Sequence, residues 1–171
     1  MNIQVIAQGS TKVERFFRRW GISFLVGEEV LFDTFGDPRV FMRNVRNMHI
    51  DLAAIRHVVI SHDHWDHIAG LWEVLKRPTS VTVYLCAQSH PDLLRRVRMF
   101  GVRVIEITKP HMITEKVYSL GQMAGMLGAE RVAEQALVVR TAKDLVLVVG
   151  CSHPGIVSIV EEAIRQFKEP I

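Results

Sequence analysis

"SHDHWDHIAGL", residues 61–71, decides how this chain is read. Three histidines and two further acid positions crowd into it: His62, Asp63, His64, Asp66 and His67, directly after the apolar run "HVVI" at 57–60. On an extended segment, residues two apart project from the same side, so His62 and His64 face one space. Asp66 and His67 begin a helix and turn toward that space. A strand end feeding a helix start therefore aims four donors at one point. Imidazole nitrogen and carboxylate oxygen suit zinc, with manganese or iron as alternatives, and each donor must sit about 2.0–2.2 Å from the ion. A single histidine before a helix would read as a cap or a surface residue. His-x-His-x-Asp-His reads as a metal site.

Outward from this stretch, the pattern is layered. "DHIAGLWEVLKR" (66–77) sets Ile68, Leu71, Trp72 and Leu75 at i, i+3, i+4 and i+7, an amphipathic helix packed on a sheet. Before it, "IQVIA" (3–7), "ISFLVG" (22–27), "EVLFDTF" (29–35) and "HVVIS" (57–61) read as short strands. "PRVFMRNVRNM" reads as a helix, with Pro38 in its first turn and Val40, Phe41, Asn44, Val45 and Met48 near one face. Beyond it, "VTVYLCA" (81–87) and "VRVIEIT" (102–108) are strands around a helix at about 91–100. "VYSLG", "ALVVRTA" and "DLVLVVGC" are further strands, the last two joined at "AKD" as an antiparallel hairpin. "PGIVSIVEEAIRQFKE" closes the chain as a helix with a stripe of Ile156, Ile159, Val160, Ala163, Ile164 and Phe167. Hairpins mixed with βα units predict an α/β (α+β) sandwich in one domain, 1–171.

Composition narrows the function classes. The chain has 171 residues, 49% apolar and 23% charged, which is ordinary for a globular domain. No apolar run approaches the ~20 residues of a membrane helix. "MNIQVIAQGS" lacks the pattern of a signal peptide, so the expected compartment is the cytoplasm. Two cysteines, Cys86 and Cys151, make no disulfide framework. The net charge of +3 is weak. The basic clusters "RFFRRW" (15–20) and "LLRRVR" (93–98) read as solvated helix faces rather than nucleic-acid sites.

"VVGCSHPGI" is the second informative stretch. A buried strand ends at Gly150 and a helix begins near Pro154, so Cys151, Ser152 and His153 lie on the connecting loop, where ligand chemistry concentrates. His153 is the candidate third ligand beside His62 and His64. Cys151 reads equally as a thiolate ligand or as an inert buried cysteine. The helix start offers free N–H groups suited to an anionic substrate group.

"SHDHWDHIAGL" resembles the signature of the metallo-β-lactamase-fold hydrolases. "ISFLVGEEVLFDTFGD" and "EQALVVRTAKDLVLVVGCSHPGIVSIVEEA" extend the resemblance. They place it in the branch that includes 7,8-dihydropterin-6-methyl-4-(β-D-ribofuranosyl)-aminobenzene-5′-phosphate synthase. The resemblance covers about 20–170 and is weak at 88–120. It implies a four-layer αβ/βα sandwich with metals at one edge, here without the final edge strand. It implies that His62 and His64 hold a first metal and Asp66 and His67 a second, and that Asp33 orients ligands from behind. On the residues alone, Asp33 is a turn aspartate. Cys151 stands where many members of the wider fold carry a metal-bridging aspartate.

The resemblance also implies a last histidine on a further strand, and no histidine follows His153. His49, His57, His90 and His111 do not fit its position: His57 opens a strand, His49 lies in a turn, His90 follows a strand near the site edge and His111 falls in a loop. Three explanations stand: a shortened form of a longer protein, a naturally short one with one tight and one weak metal, or a ligand lent across a homodimer. An exposed sheet edge would favour the dimer. The expected function is a metal-dependent hydrolase with one or two Zn²⁺ (or Mn²⁺ or Fe²⁺). Asp66 would act on the water, and the substrate would be a small anionic phosphoester, ester or lactone. The alternatives are a weakly active or inactive metal-binding accessory or sensor protein, and a nuclease. The last is disfavoured because no insertion is long enough to clamp RNA.

Overall fold

The computed structural model describes residues 1–10, 20–77, 80–169 and 171. β1 (Ile3–Ser10), β2 (Trp20–Val26) and β3 (Val30–Phe32) pair antiparallel. β4 (His57–Val59), β5 (Thr82–Cys86) and β6 (Arg103–Ile107) then add in parallel, in chain order. The inner strands are apolar on both sides because both faces are covered. In β3, Leu31 enters one core while Val30 and Phe32 enter another; β4 divides Val58 from Val59, and β5 divides Val83 and Leu85 from Tyr84. That alternation is the period of two of a strand.

The first core is closed by helices α1 (Pro38–Asn47), α2 (Trp65–Ile68), α3 (Leu71–Leu75) and α4 (Pro91–Arg98). α1 starts where read, with the Asp37 side chain capping Arg39 N and Val40 N. It buries Phe41 and Val45 but leaves Met48 at its exposed C-cap. α4 buries Leu93, Leu94 and Val97 and turns its arginines outward, so "LLRRVR" is a helix face. "RFFRRW" lies, up to Arg19, outside the described residues.

The second core lies between this sheet and another, ordered β12-β11-β8-β7. Its strands are β7 (His111–Thr114), β8 (Val117–Ser119), β11 (Leu137–Arg140) and β12 (Leu145–Val148). β11 and β12 form the expected hairpin, with Thr141 Oγ1 organising the turn. α5 (Ile156–Phe167) covers the outer face, burying Ile159 and Ala163. Helices, sheet, sheet and helix give the αβ/βα sandwich read from the sequence. β12 is the edge of the second sheet.

Four expectations need correction. The helix over 66–77 is two short helices, parted at Ala69–Gly70, where the backbone presses on Thr34 and Phe41. His111 opens strand β7, because its partner β8 reaches back to pair with it. A further pair, β9 (Met123–Leu127) and β10 (Glu130–Glu134), forms its own two-stranded sheet in a stretch the apolar pattern did not mark. The α5 stripe is also narrower than read, since Ile156 and Ile164 are half exposed.

A Cβ at Gly70 would lie 2.4 Å from Thr34 O and 2.8 Å from Phe41 Cδ1. Gly70→Ala is therefore expected to cost about 1–3 kcal/mol by overpacking, read as a lower urea midpoint.

Candidate metal centre

The parallel strands end on one side of the sheet, the usual place for ligands in such folds. Asp33 follows β3, the 61–67 loop follows β4, and the Cys151–His153 loop follows β12. Asp33 adopts φ 55°, an unusual left-handed conformation for a non-glycine, and is wholly buried. Its carboxylate is fully occupied. Oδ1 accepts from Ser61 N at 2.7 Å. Oδ2 accepts from Ser61 Oγ at 2.7 Å and from His67 Nδ1 at 2.6 Å.

These bonds set the histidine tautomers. Ser61 Oγ has one proton and gives it to Asp33, so it accepts from His62 Nδ1, 2.9 Å away. His62 Nε2 then carries a free lone pair, 3.1 Å from His64 Nδ1. Likewise His67 Nδ1 donates to Asp33, and its Nε2 lies 3.2 Å from Cys151 Sγ and 3.3 Å from Asp66 Oδ2. Asp33 thus orients both His62 and His67 from behind, as metal-site carboxylates do.

Two donor groups result, each with its atoms within 4.8 Å of one another: His62, His64 and His153, and His62, His67 and Cys151. His62 belongs to both. The His153 ring lies 4.8 Å from that of His62 and 5.0 Å from that of His64. Its Nε2 is buried with no hydrogen-bond partner among the described residues. An unpaired buried nitrogen is costly and calls for an explanation. A cation held among these imidazoles supplies one, and the donor set is chemically apt for zinc. Asp66, 5% exposed, and the exposed Cys151 face a cleft of about 610 Å³. His49, His57 and His90 are not among the described residues that line it; His90 N donates to Asp63 Oδ2.

The charges are strongly biased. Burial and the neighbouring imidazoles hold His62 far below its ordinary value, so it is neutral. Burial opposes protonation of His67 too, but Asp33 outweighs it and pushes the pKa up to about 12. Burial disfavours the ionised form of Asp66, yet the bond to His67 holds its pKa below the usual range. In the metal-free protein, the second proton of His67 thus sits on Nε2, where a metal would bind, and metal binding must release it.

The two histidines give the metal-free protein opposite pH dependences. His67 is raised above its unfolded value of 6.5, so its contribution is whole below pH 6.5 and lost as the pH climbs toward about 12. His62 is lowered, so its contribution is whole above pH 6.5 and lost on acidification. Urea midpoints measured across pH are expected to fall on both sides. Asp33→Asn should remove the alkaline decline.

Sequence reasoning missed two residues of the centre, Ser61, whose hydroxyl bridges Asp33 and His62, and Glu134. Glu134, at the end of β10 and 1% exposed, accepts from Ser152 N at 2.9 Å and from His153 N at 2.7 Å. It holds the loop that presents His153, where Ser152 takes φ 60°. Its neighbour Gln135 ties the same region to Ile60 O and Ser119.

Residues 28–124, more than half of the chain, match the family described as "Beta-lactamase superfamily domain". The 7,8-dihydropterin-6-methyl-4-(beta-D-ribofuranosyl)-aminobenzene-5′-phosphate synthase of Methanocaldococcus jannaschii is 25% identical over 198 residues, covering 88% of this chain and 67% of that protein. Among solved structures, the metallo-beta-lactamase fold protein YhfI from Bacillus subtilis aligns with a TM-score of 0.63 at 13% identity, over 86% of this chain and 61% of YhfI. The short form of human tRNase Z aligns at 0.62 and 14% identity, over 95% and 74%. At these identities the structural likeness speaks for the fold. The chain spans less than two thirds of the length of YhfI.

Proposed function

The chain belongs to the beta-lactamase superfamily, and on that premise we propose that it is a metal-dependent hydrolase of small phosphoester, ester or lactone substrates. The observation that carries this reading is the convergence of His62, His64 and His153, with the His153 nitrogen buried and unpaired. His62, His64 and His153 hold the first cation; Asp66, His67 and Cys151 hold a second. Zinc is the resident ion, with manganese or iron able to replace it. A cation bound there lowers the pKa of water toward ~7 and stabilises negative charge on oxygen.

The chain's own groups do the rest. Asp66, ionised beside His67, accepts a hydrogen bond from the attacking water and orients it. Ser61 and Asp33 fix the imidazoles, so no reorganisation is needed as charge develops. The cleft of about 610 Å³ is of the size that holds a small molecule. Both cysteines are free, which is consistent with a cytoplasmic setting. No helix among the described residues is long and apolar enough to cross a membrane.

The test is turnover of bis-p-nitrophenyl phosphate with Zn²⁺ or Mn²⁺ added. Turnover that disappears in a His64→Ala variant supports the hydrolase; turnover that survives it belongs to a contaminant. The M. jannaschii relative is named as a synthase, which favours group transfer to an acceptor other than water as the second reading. Metal uptake without turnover of any ester, lactone or phosphoester probe would leave that reading, or a metal-binding accessory protein.

A further inference from the structure

The cleft beside the histidines has walls that the metal reading leaves unused. Trp20 and Trp65 line it, 41% and 50% exposed, with Leu127, 52% exposed, and Glu130. Single exposed apolar residues mean little. Here three large ones face one cleft that also exposes metal donors.

Their backbones are held rigidly. Gly36 N donates to Trp20 O, and a Cβ at Gly36 would lie 2.6 Å from Trp65 Cζ3. A Cβ at Gly21 (φ 98°) would overlap Asp66 O at 1.9 Å. Only glycine lets the two tryptophan segments and the Asp66 turn lie so close. On the other side, Leu127 and Glu130 flank the turn of the β9–β10 hairpin. Strand β9 is pinned to the metal loop: Met126 N donates to His153 O, and a Cβ at Gly125 would lie 2.4 Å from the His153 carbonyl carbon. The charged residues lining the cleft, apart from the histidines, are the acidic Asp66 and Glu130, with no lysine or arginine among the described lining residues.

We propose that this cleft is a subsite for a planar aromatic ring of the substrate. The ring packs against Trp65 and Trp20, is covered by Leu127, and carries N–H donors or a positive charge toward Glu130. Tryptophan faces favour such rings by stacking and by attraction to cations. The proposal rests on the hydrolase reading for one point, that the reacting, anionic end lies at the metal donors. An aryl phosphoester bearing an amino group has the required chemistry at both ends.

Phenylphosphonate and methylphosphonate share the anionic end and differ by the ring. Calorimetry on zinc-loaded protein is expected to give about tenfold tighter binding of phenylphosphonate, the order of gain from one well-packed ring. Trp65→Ala and Leu127→Ser should each shrink that ratio toward one, with metal content measured in the same samples. Equal affinity of the wild type for the two phosphonates overturns the subsite and leaves the hydrolase standing. 4-Nitrobenzylamine has the ring and the cation without the anion, and its nitro group quenches tryptophan emission. Saturable quenching, weakened severalfold in Glu130→Gln, supports the subsite even if neither phosphonate binds, in which case the hydrolase reading fails alone. Quenching without saturation overturns the subsite.

Discussion

A His62→Ala variant is expected to lose its metal and to hydrolyse substrate on the order of 10³-fold more slowly, the several kcal/mol of transition-state stabilisation that a metal supplies. His62 is the most consequential single donor because it is the wholly buried member of the His62, His64 and His153 group. Ser61 fixes its Nδ1, so its Nε2 has one direction to point. No neighbour can swing into that place, since His64 and His153 are already committed around it. Dialysis of wild type and variant against the same buffered zinc, followed by elemental analysis, reads the loss. His49→Ala is the control: it is exposed, sits in a turn at φ 55°, and should retain metal and activity. A His62→Ala protein that keeps wild-type metal content would contradict the assignment of the centre.

Glu134→Ala carries the second large effect. The Glu134 carboxylate accepts two backbone N–H bonds and is sealed from solvent. Hydrogen bonds to a charged acceptor contribute about 1.5–3 kcal/mol each. Ser152 and His153 are only partly buried, so water can replace part of what is lost. A net cost of about 2–4 kcal/mol is expected, read as a lower urea midpoint. A generic loss of stability would leave the folded protein's metal affinity alone. Glu134 acts on the loop that presents His153, so zinc affinity should also fall about 10–100-fold, as for other groups that support ligands from behind. Glu134→Gln keeps one acceptor and should fall between. If stability drops while zinc affinity stays at the wild-type value, Glu134 supports the fold and not the centre.

The contrast between Glu134 and the 61–67 stretch shows what sequence can carry. His62, His64, Asp66 and His67 are near in sequence, so a strand–helix junction suffices to bring them together. His153 was legible because a loop between a buried strand and a helix is a place for ligands. The role of Asp33 came from resemblance alone, because its partners Ser61 and His67 are far along the chain. Nothing near Glu134 distinguishes it from a solvated strand-end glutamate: its partners lie 18 and 19 residues away. The fold was readable for the same reason. Strands buried on both faces announce themselves as apolar runs, as "HVVI" does. β9 and β10 do not, because only one residue of each five-residue strand, or at most two, is buried: Gly125 in β9, and Val132 and Glu134 in β10. Gly70 divides a helical pattern at a contact with Thr34 and Phe41 that no local periodicity encodes.

Metal content per chain, measured by elemental mass spectrometry on protein purified without chelator or metal-affinity tag, decides whether the histidines form a metal centre. Between one and two equivalents of zinc, manganese or iron are expected: one at His62, His64 and His153, and a second at Asp66, His67 and Cys151. Near-zero content, with no uptake when Zn²⁺, Mn²⁺ or Fe²⁺ is added, would contradict that assignment.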